Sequence, residues 1–269
     1  TILAQMAAEC LDCSVDDIAV FGADTDASPY DSGSYASSTT YITGKAVEKA
    51  CAELKERICS IAAEMLGCAA SEMVFEGRQV RRIGTEETVS LTDIGYKSQV
   101  FNTQAAEATA SHSSPVSPPP YMVGMVEIEL DKETGLVTIL DYMAVVDCGI
   151  PINPALARIQ TEGGIVQGIG HTLMEDVRYD HNGKPIGSSF MQYKIPTRLD
   201  MGKLHVEFEH SYEPTGPFGA KSIGEIVINT PAPALAHAIY RATGVWHREL
   251  PITPEKIALS LSGKEGKNS

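Results

Sequence analysis

The stretch Gly216-Pro217-Phe218-Gly219-Ala220-Lys221-Ser222-Ile223-Gly224-Glu225 combines spaced glycines with a single carboxylate, directly ahead of an apolar segment and a proline-led helix. Glycines let a backbone approach a neighbour or a ligand closely and adopt positive φ. A carboxylate in such a loop, once partly dried, has its pKa lifted from about 4.3 toward neutrality and can take a proton as a general base. The same residues also fit a plain turn with a surface glutamate. A second concentration lies upstream, where Gly163, Gly164, Gly168 and Gly170 share a helical pattern with Gln167. Each glycine destabilises a helix by up to about 1 kcal/mol relative to alanine, so the cluster calls for close helix packing or for a bound group.

Other chemistries find little support. His112, His171, His181, His205, His210, His237 and His247 show no zinc-hydrolase spacing with a carboxylate set, and they read as structural or surface residues. No G-x-S-x-G elbow is present. Cys10 and Cys13 form a C-x-x-C pair, but no second pair follows at zinc spacing; with Cys51, Cys59, Cys68 and Cys148 they read as free thiols of a reducing compartment.

These groups need a scaffold, and the periodicity outlines one. Ile2, Leu3, Met6, Ala7 and Cys10 mark a helix already under way at the first residue, which predicts an upstream part, either in the same polypeptide or in a companion chain. Ile18 to Gly22 reads as a buried strand, and Asp24 to Ser38 as a loop. Ala46, Val47, Ala50, Cys51, Leu54, Ile58, Ile61, Ala62 and Met65 form the apolar stripe of a long helix that stops at Gly67. Met73 to Ile83 predicts a hairpin about Glu76-Gly77, Leu91 to Val100 a short helix, and Ser111 to Pro120 an extended surface loop.

Met122 to Leu130 and Leu136 to Val146 predict an antiparallel hairpin with Gly135 at positive φ. A helix over Arg158 to Glu175, a hairpin about His181-Asn182-Gly183, a strand over Leu204 to His210 and a final helix over Pro231 to Thr243 complete the pattern. The elements lack a regular β-α-β rhythm, so the expected class is α+β: a two-lobed domain with mixed sheets and packed helices, its lobes about 1–110 and 111–269.

Bulk composition narrows the partners. A net charge of −14, with no basic stripe, repels nucleic acid and anionic membrane surfaces. The longest apolar runs stop short of the roughly 18–20 residues that cross a bilayer. The expectation is a cytoplasmic protein with no nucleic-acid or membrane partner.

Four ordered segments together resemble the molybdenum-binding subunit of the xanthine dehydrogenase and aldehyde oxidoreductase family, in its C-terminal cofactor-binding part. Asp147-Cys148-Gly149 with Ile152-Asn153-Pro154 resembles the family's D-x-G-x-x-x-N-P turn, and Gln160 to Gly170 its Q-x-x-G-x-x-x-Q-G-x-G helix. Lys221 to Glu225 resembles the K-x-x-G-E element that ends in the catalytic glutamate. Ala36-Ser37-Ser38-Thr39-Thr40, with Gly44-Lys45-Ala46-Val47, resembles the loop and helix start that hold the pterin phosphate. Hydroxyls and free N–H groups at a helix start can bind an anion without a basic surface, and equally can cap the helix.

The resemblance implies hydroxylation of a nitrogen heterocycle, purine-like or nicotinate-like, or of an aldehyde, with oxygen from water. Glu225 would be the base; Ala36, Ser37, Ser38, Thr39, Thr40, Gln167, Lys221 and Gly224 would contact the cofactor. That cofactor would be molybdenum-molybdopterin, in plain or dinucleotide form, with molybdenum held through the pterin and not by protein ligands. Iron-sulfur clusters and FAD would lie in partner subunits or domains, beside an N-terminal molybdenum-binding domain or subunit. Tyr35 would line a substrate pocket or sit in the core. The competing readings are a non-catalytic scaffold or assembly subunit and, less well supported, a hydrolase using the same glutamate.

Overall fold

The computed structural model describes residues 1–26, 28–100 and 105–265; Ala27, inside the loop expected over Asp24 to Ser38, lies outside them, as do residues 101–104. The chain forms two compact units. Unit 1 is Thr1–Pro118 with Glu213–Ala220, and unit 2 is Pro119–Tyr212 with Lys221–Ser269.

Unit 1 is built on α2 (Gly44–Leu66), which ends where Gly67 turns left-handed at φ 65°. The stripe predicted for this helix delivers Ile58, Ile61 and Ala62 to a core shared with Met73, Val80, Val89 and Ile94. Met73 and Val80 come from the hairpin of β1 (Met73–Glu76) and β2 (Gln79–Arg82), with β3 (Thr88–Ser90) as third strand. Ile94 comes from α3 (Leu91–Val100), the helix expected there. α1 (Ile2–Cys10) packs on α2, with Met6 fully buried.

The strand expected over Ile18 to Gly22 does not form. That segment is irregular, with Val20 and Phe21 exposed at 69% and 77%. Its β-branched and aromatic residues favour extended backbone, but among the described residues no strand pairs with it, and a strand is stable only when its N–H and C=O groups are met.

Unit 2 contains the predicted long hairpin, β4 (Tyr121–Leu130) with β5 (Val137–Asp147), antiparallel and with Gly135 at φ 75°. A side chain at Gly135 would also strike the Pro254 carbonyl, so both conformation and space require glycine there. β6 (Lys203–Phe208) joins β5 in parallel, giving a mixed sheet of order β4-β5-β6.

α4 (Pro154–Leu173) and α6 (Pro231–Thr243) supply Ile165, Ile169 and Leu235, which pack with Tyr142, Ala144 and Val206 of the sheet. α4 starts four residues ahead of the expected Arg158, because Asn153 caps it by accepting from Leu156 N at 3.1 Å and Pro154 fills the first helical position. About His181-Asn182-Gly183 there is a turn with one bridge, Tyr179 to Pro185, and no ladder. α6 is not the last helix: α7 (Pro254–Glu265) follows, and Ile257 fixes it against Ile239 and Ile252.

Candidate functional site

The residues singled out from the sequence fall in both units, and each group has its own supports. In unit 1, Ala36 and Ser37 stand in the left-handed region at φ 50° and 57°. Neither is a glycine, and such conformations are costly unless the surroundings enforce them, which is why they concentrate at functional loops. Ser34 and Thr39 share a short hydroxyl–hydroxyl hydrogen bond across the loop. Thr39–Thr43 then make one π-helical turn that leads into α2. Ser38 is therefore not an ordinary cap: it has αR backbone and makes no capping hydrogen bond to the turn that follows.

Tyr41, buried in that turn, anchors it. Its hydroxyl bonds to Thr215 Oγ1 at 2.6 Å and to Ser114 Oγ at 3.1 Å. Phe218 N donates to Glu48 Oε1 at 3.2 Å, and Gly44 leaves just enough room for Met6 and Pro217. The glycine-rich segment ahead of Lys221 is thereby fastened to the start of α2. Beside the same helix, both ring nitrogens of His112 are buried with no hydrogen-bond partner among the described residues. Burial, with the Lys49 and Lys45 ammonium groups, holds its pKa below the ordinary histidine range. Tyr35 is 69% exposed, which removes the core alternative for it.

In unit 2 the structure sorts the glycines of α4. A side chain at Gly164 would meet Val227 Cγ2 at 2.3 Å, one at Gly168 would meet Pro231 Cγ at 2.7 Å, and one at Gly170 would meet Glu175 Oε1 at 2.1 Å. Those three serve internal packing. Gly163 faces open space, and it lies one turn from Gln167 on the exposed side of the helix. Through Gly164 and Gly168, α4 is seated against α5 (Ile226–Asn229), and Glu225 is the residue that begins α5, exposed at its N-terminus.

Lys221 is 9% exposed, and its Nζ donates to Asp147 Oδ2 at 2.7 Å. Lys221 N also donates to Cys148 O at 2.7 Å. Asp147 Oδ1 accepts from Ser211 Oγ at 2.5 Å and Gly149 N at 3.1 Å. Burial pushes the Asp147 carboxyl upward, but Lys221, Ser211 and Gly149 outweigh it and hold the group below the usual aspartate range. Sequence reasoning placed Asp147 only as a motif residue and missed this pairing, because nothing in the sequence marks two charges 74 residues apart as neighbours. Tyr41 likewise carries no local mark of its anchoring role, since Thr215 and Ser114 are remote in sequence.

Within unit 1, a strained loop rich in hydroxyls fits an anionic oxygen group; within unit 2, the open backbone at Gly163 with the exposed Gln167 amide fits a polar group of its own. Among the described residues no cluster of His, Cys, Asp and Glu is arranged to hold a metal ion directly, and no helix is long and apolar enough to cross a membrane.

A family model described as a molybdopterin cofactor-binding domain matches residues 1–202. The chain belongs to this family, the molybdopterin-binding proteins of xanthine dehydrogenase and aldehyde oxidoreductase type. It is 36% identical to the probable hypoxanthine oxidase XdhD of Escherichia coli K12, covering 97% of this chain and 27% of that protein. It is 35% identical to the 6-hydroxypseudooxynicotine dehydrogenase complex subunit gamma of Paenarthrobacter nicotinovorans, covering 98% and 34%. The crystal structure of quinoline 2-oxidoreductase from Pseudomonas putida 86 superposes with a TM-score of 0.85 at 29% identity, covering 97% of this chain and 35% of that one. The chain thus spans about a quarter to a third of the length of the proteins it matches.

Proposed function

We propose that this chain is the part of a molybdenum hydroxylase that supplies the catalytic base, Glu225, together with cofactor contacts from Ala36, Ser37, Ser38, Thr39, Thr40, Gln167 and Gly224, while Lys221, expected by resemblance in the same shell, commits its ammonium to Asp147. The observation that carries the reading is the setting of Glu225. It stands exposed at the start of α5, at the end of a segment pinned to the sheet through Lys221 and seated on α4 through Val227. When bound, the molybdopterin group supplies the two-electron chemistry and the route for oxygen from water to the substrate carbon. The chain's own part is to accept a proton at the Glu225 carboxylate, to present the Gln167 amide beside open backbone at Gly163, and to offer hydroxyls and N–H groups to the cofactor's anionic end.

The substrate class is a nitrogen heterocycle, in keeping with relatives named for hypoxanthine, a nicotine derivative and quinoline. An aldehyde is the alternative. Iron-sulfur and flavin partners, and a further molybdenum-binding domain, complete the electron path and the cofactor clamp, with the assembly in the cytoplasm.

The test is Glu225→Gln in the assembled enzyme. Glutamine keeps shape and an acceptor but takes no proton, so kcat should fall by about 10²–10⁴ with molybdopterin content unchanged. Turnover above about a tenth of the parent's would remove Glu225 as base and favour a scaffold.

A further inference from the structure

Lys221 stands in the expected cofactor shell by resemblance, yet its ammonium is committed elsewhere. Asp147 is the last residue of β5 and the register partner of Tyr121, the first residue of β4, so both belong to the open end of the long hairpin, opposite its turn. The Lys221 ammonium sits 2.7 Å from the Asp147 carboxylate and 5.6 Å from the centre of the Tyr121 ring. Its own backbone N–H is bonded to Cys148 O. Lys221 is therefore held at main chain and side chain by one strand end. Six residues on, Val227 is fully buried against Val146 and Cys148, and Gly164 leaves no slack on its other side. Glu225 lies between these two fixed points.

Asp147 also fastens the far flank. The chain leaves unit 2 after Tyr212 and returns at Lys221. Ser211, just before the exit, and Lys221, at the return, bind the two oxygens of the same carboxylate.

We propose that Asp147 and Lys221 are a positioning pair, which fixes the segment from Lys221 to Val227 on the end of β5 and so sets where the Glu225 carboxylate stands. The pair's effect on turnover rests on the reading of Glu225 as base; the fastening itself does not. Removing either member strands the other's charge in a nearly dry place, whereas removing both leaves no orphan, so the pair has a distinctive mutational signature.

The experiment uses the assembled holoenzyme with Asp147→Asn, Lys221→Met, the double variant and Lys221→Arg. Amide hydrogen exchange over residues 221–227 is read alongside kcat, KM and molybdopterin content. Each of the first two variants should speed exchange in that segment and lower kcat by at least about tenfold, since a misplacement near 1 Å can cost about 10²-fold. KM should stay within about twofold and the cofactor should remain bound. The double variant should be no worse than the weaker single, and Lys221→Arg should recover most of kcat by restoring the ion pair.

Unchanged exchange in both single variants, or effects that multiply in the double variant, would overturn the pair. Loss of molybdopterin in Lys221→Met, with Asp147→Asn retaining it, would overturn it in favour of a direct cofactor contact. Exchange reports the fastening whatever the chemistry, so a fully active Glu225→Gln enzyme would remove the base while leaving the pair to be decided by exchange.

Discussion

Adjacent glycines on α4 should respond in opposite directions to the same substitution. An ideal Cβ on Gly164 lies 2.3 Å from Val227 Cγ2 and 3.2 Å from Val227 C, and ordinary carbon contacts sit at about 3.5–4.0 Å, so α5 must retreat by roughly 1 Å. Val227 cannot give way alone, because it is fully buried against Val146 and Cys148. Overpacking of this kind costs about 1–3 kcal/mol, and the better helix propensity of alanine returns up to about 1. With that full return Gly164→Ala should be destabilised by up to about 2 kcal/mol, a fall in Tm of up to roughly 8 °C, and it should lie about 1–3 kcal/mol below Gly163→Ala, which gains the same propensity without the overpacking.

Gly163→Ala meets nothing within 4 Å, so it should be neutral or stabilised by up to about 1 kcal/mol. Urea denaturation and calorimetry on the two variants make the comparison directly. Adding Val227→Ala to Gly164→Ala should give a favourable coupling above about 0.5 kcal/mol, since the offending methyls are gone. In the assembled enzyme Gly164→Ala should also lose turnover, by up to about 10²-fold, because the retreat of α5 carries Glu225 with it. If Gly164→Ala proves as stable as Gly163→Ala, the packing of α4 on α5 is not as tight as described and the argument fails.

The stability lost in Asp147→Asn should itself depend on pH. The native carboxyl titrates below its unfolded value of about 3.9, so its contribution is present above that pH and disappears as pH falls through the lower native pKa; the gap between parent and variant in urea midpoints should narrow progressively as pH is lowered below about 4. The Cys148 thiol is pushed up to about 11 by burial and then by the Asp147 charge, so it should resist iodoacetamide in the native protein at pH 7.5. Mass spectrometry should find it alkylated only after unfolding, and rapid native labelling would contradict its place beneath Lys221.

What the sequence discloses follows the range of the interactions involved. The α2 stripe and the turns at Gly77 and Gly135 are local, and periodicity and turn residues fix them without tertiary information. α7 left a signal that was not used: Thr253 accepts from Lys256 N at 3.3 Å, and Thr-Pro-Glu is the usual opening of a helix. The parallel pairing of β5 with β6 leaves no local trace, since β6 begins 56 residues after β5 ends, with α4 between them. The exposed run Ile18 to Gly22 shows the opposite error, where propensity without a partner strand produced only extended chain. At the candidate site, family motifs pointed to Glu225, Gln167 and the hydroxyl loop. The roles of Asp147, Tyr41 and the sorting of Gly163 from Gly164 depend on which side chains meet across the fold, and composition cannot supply that.

The interrupted course of unit 1 bears on how the protein is made. Its last segment, Glu213–Ala220, is synthesised about a hundred residues after Pro118, a delay of roughly 5–20 s at ordinary ribosomal rates. Until then Tyr41 lacks Thr215, Glu48 lacks the Phe218 amide and Gly44 lacks Pro217. The hydroxyl loop is thus left without its final bracing while the hairpin and α4 are already emerging. A fragment ending at Pro118 would carry the whole loop and α2 yet never acquire that bracing, so unit 1 can be neither matured early nor transplanted as one continuous piece of sequence.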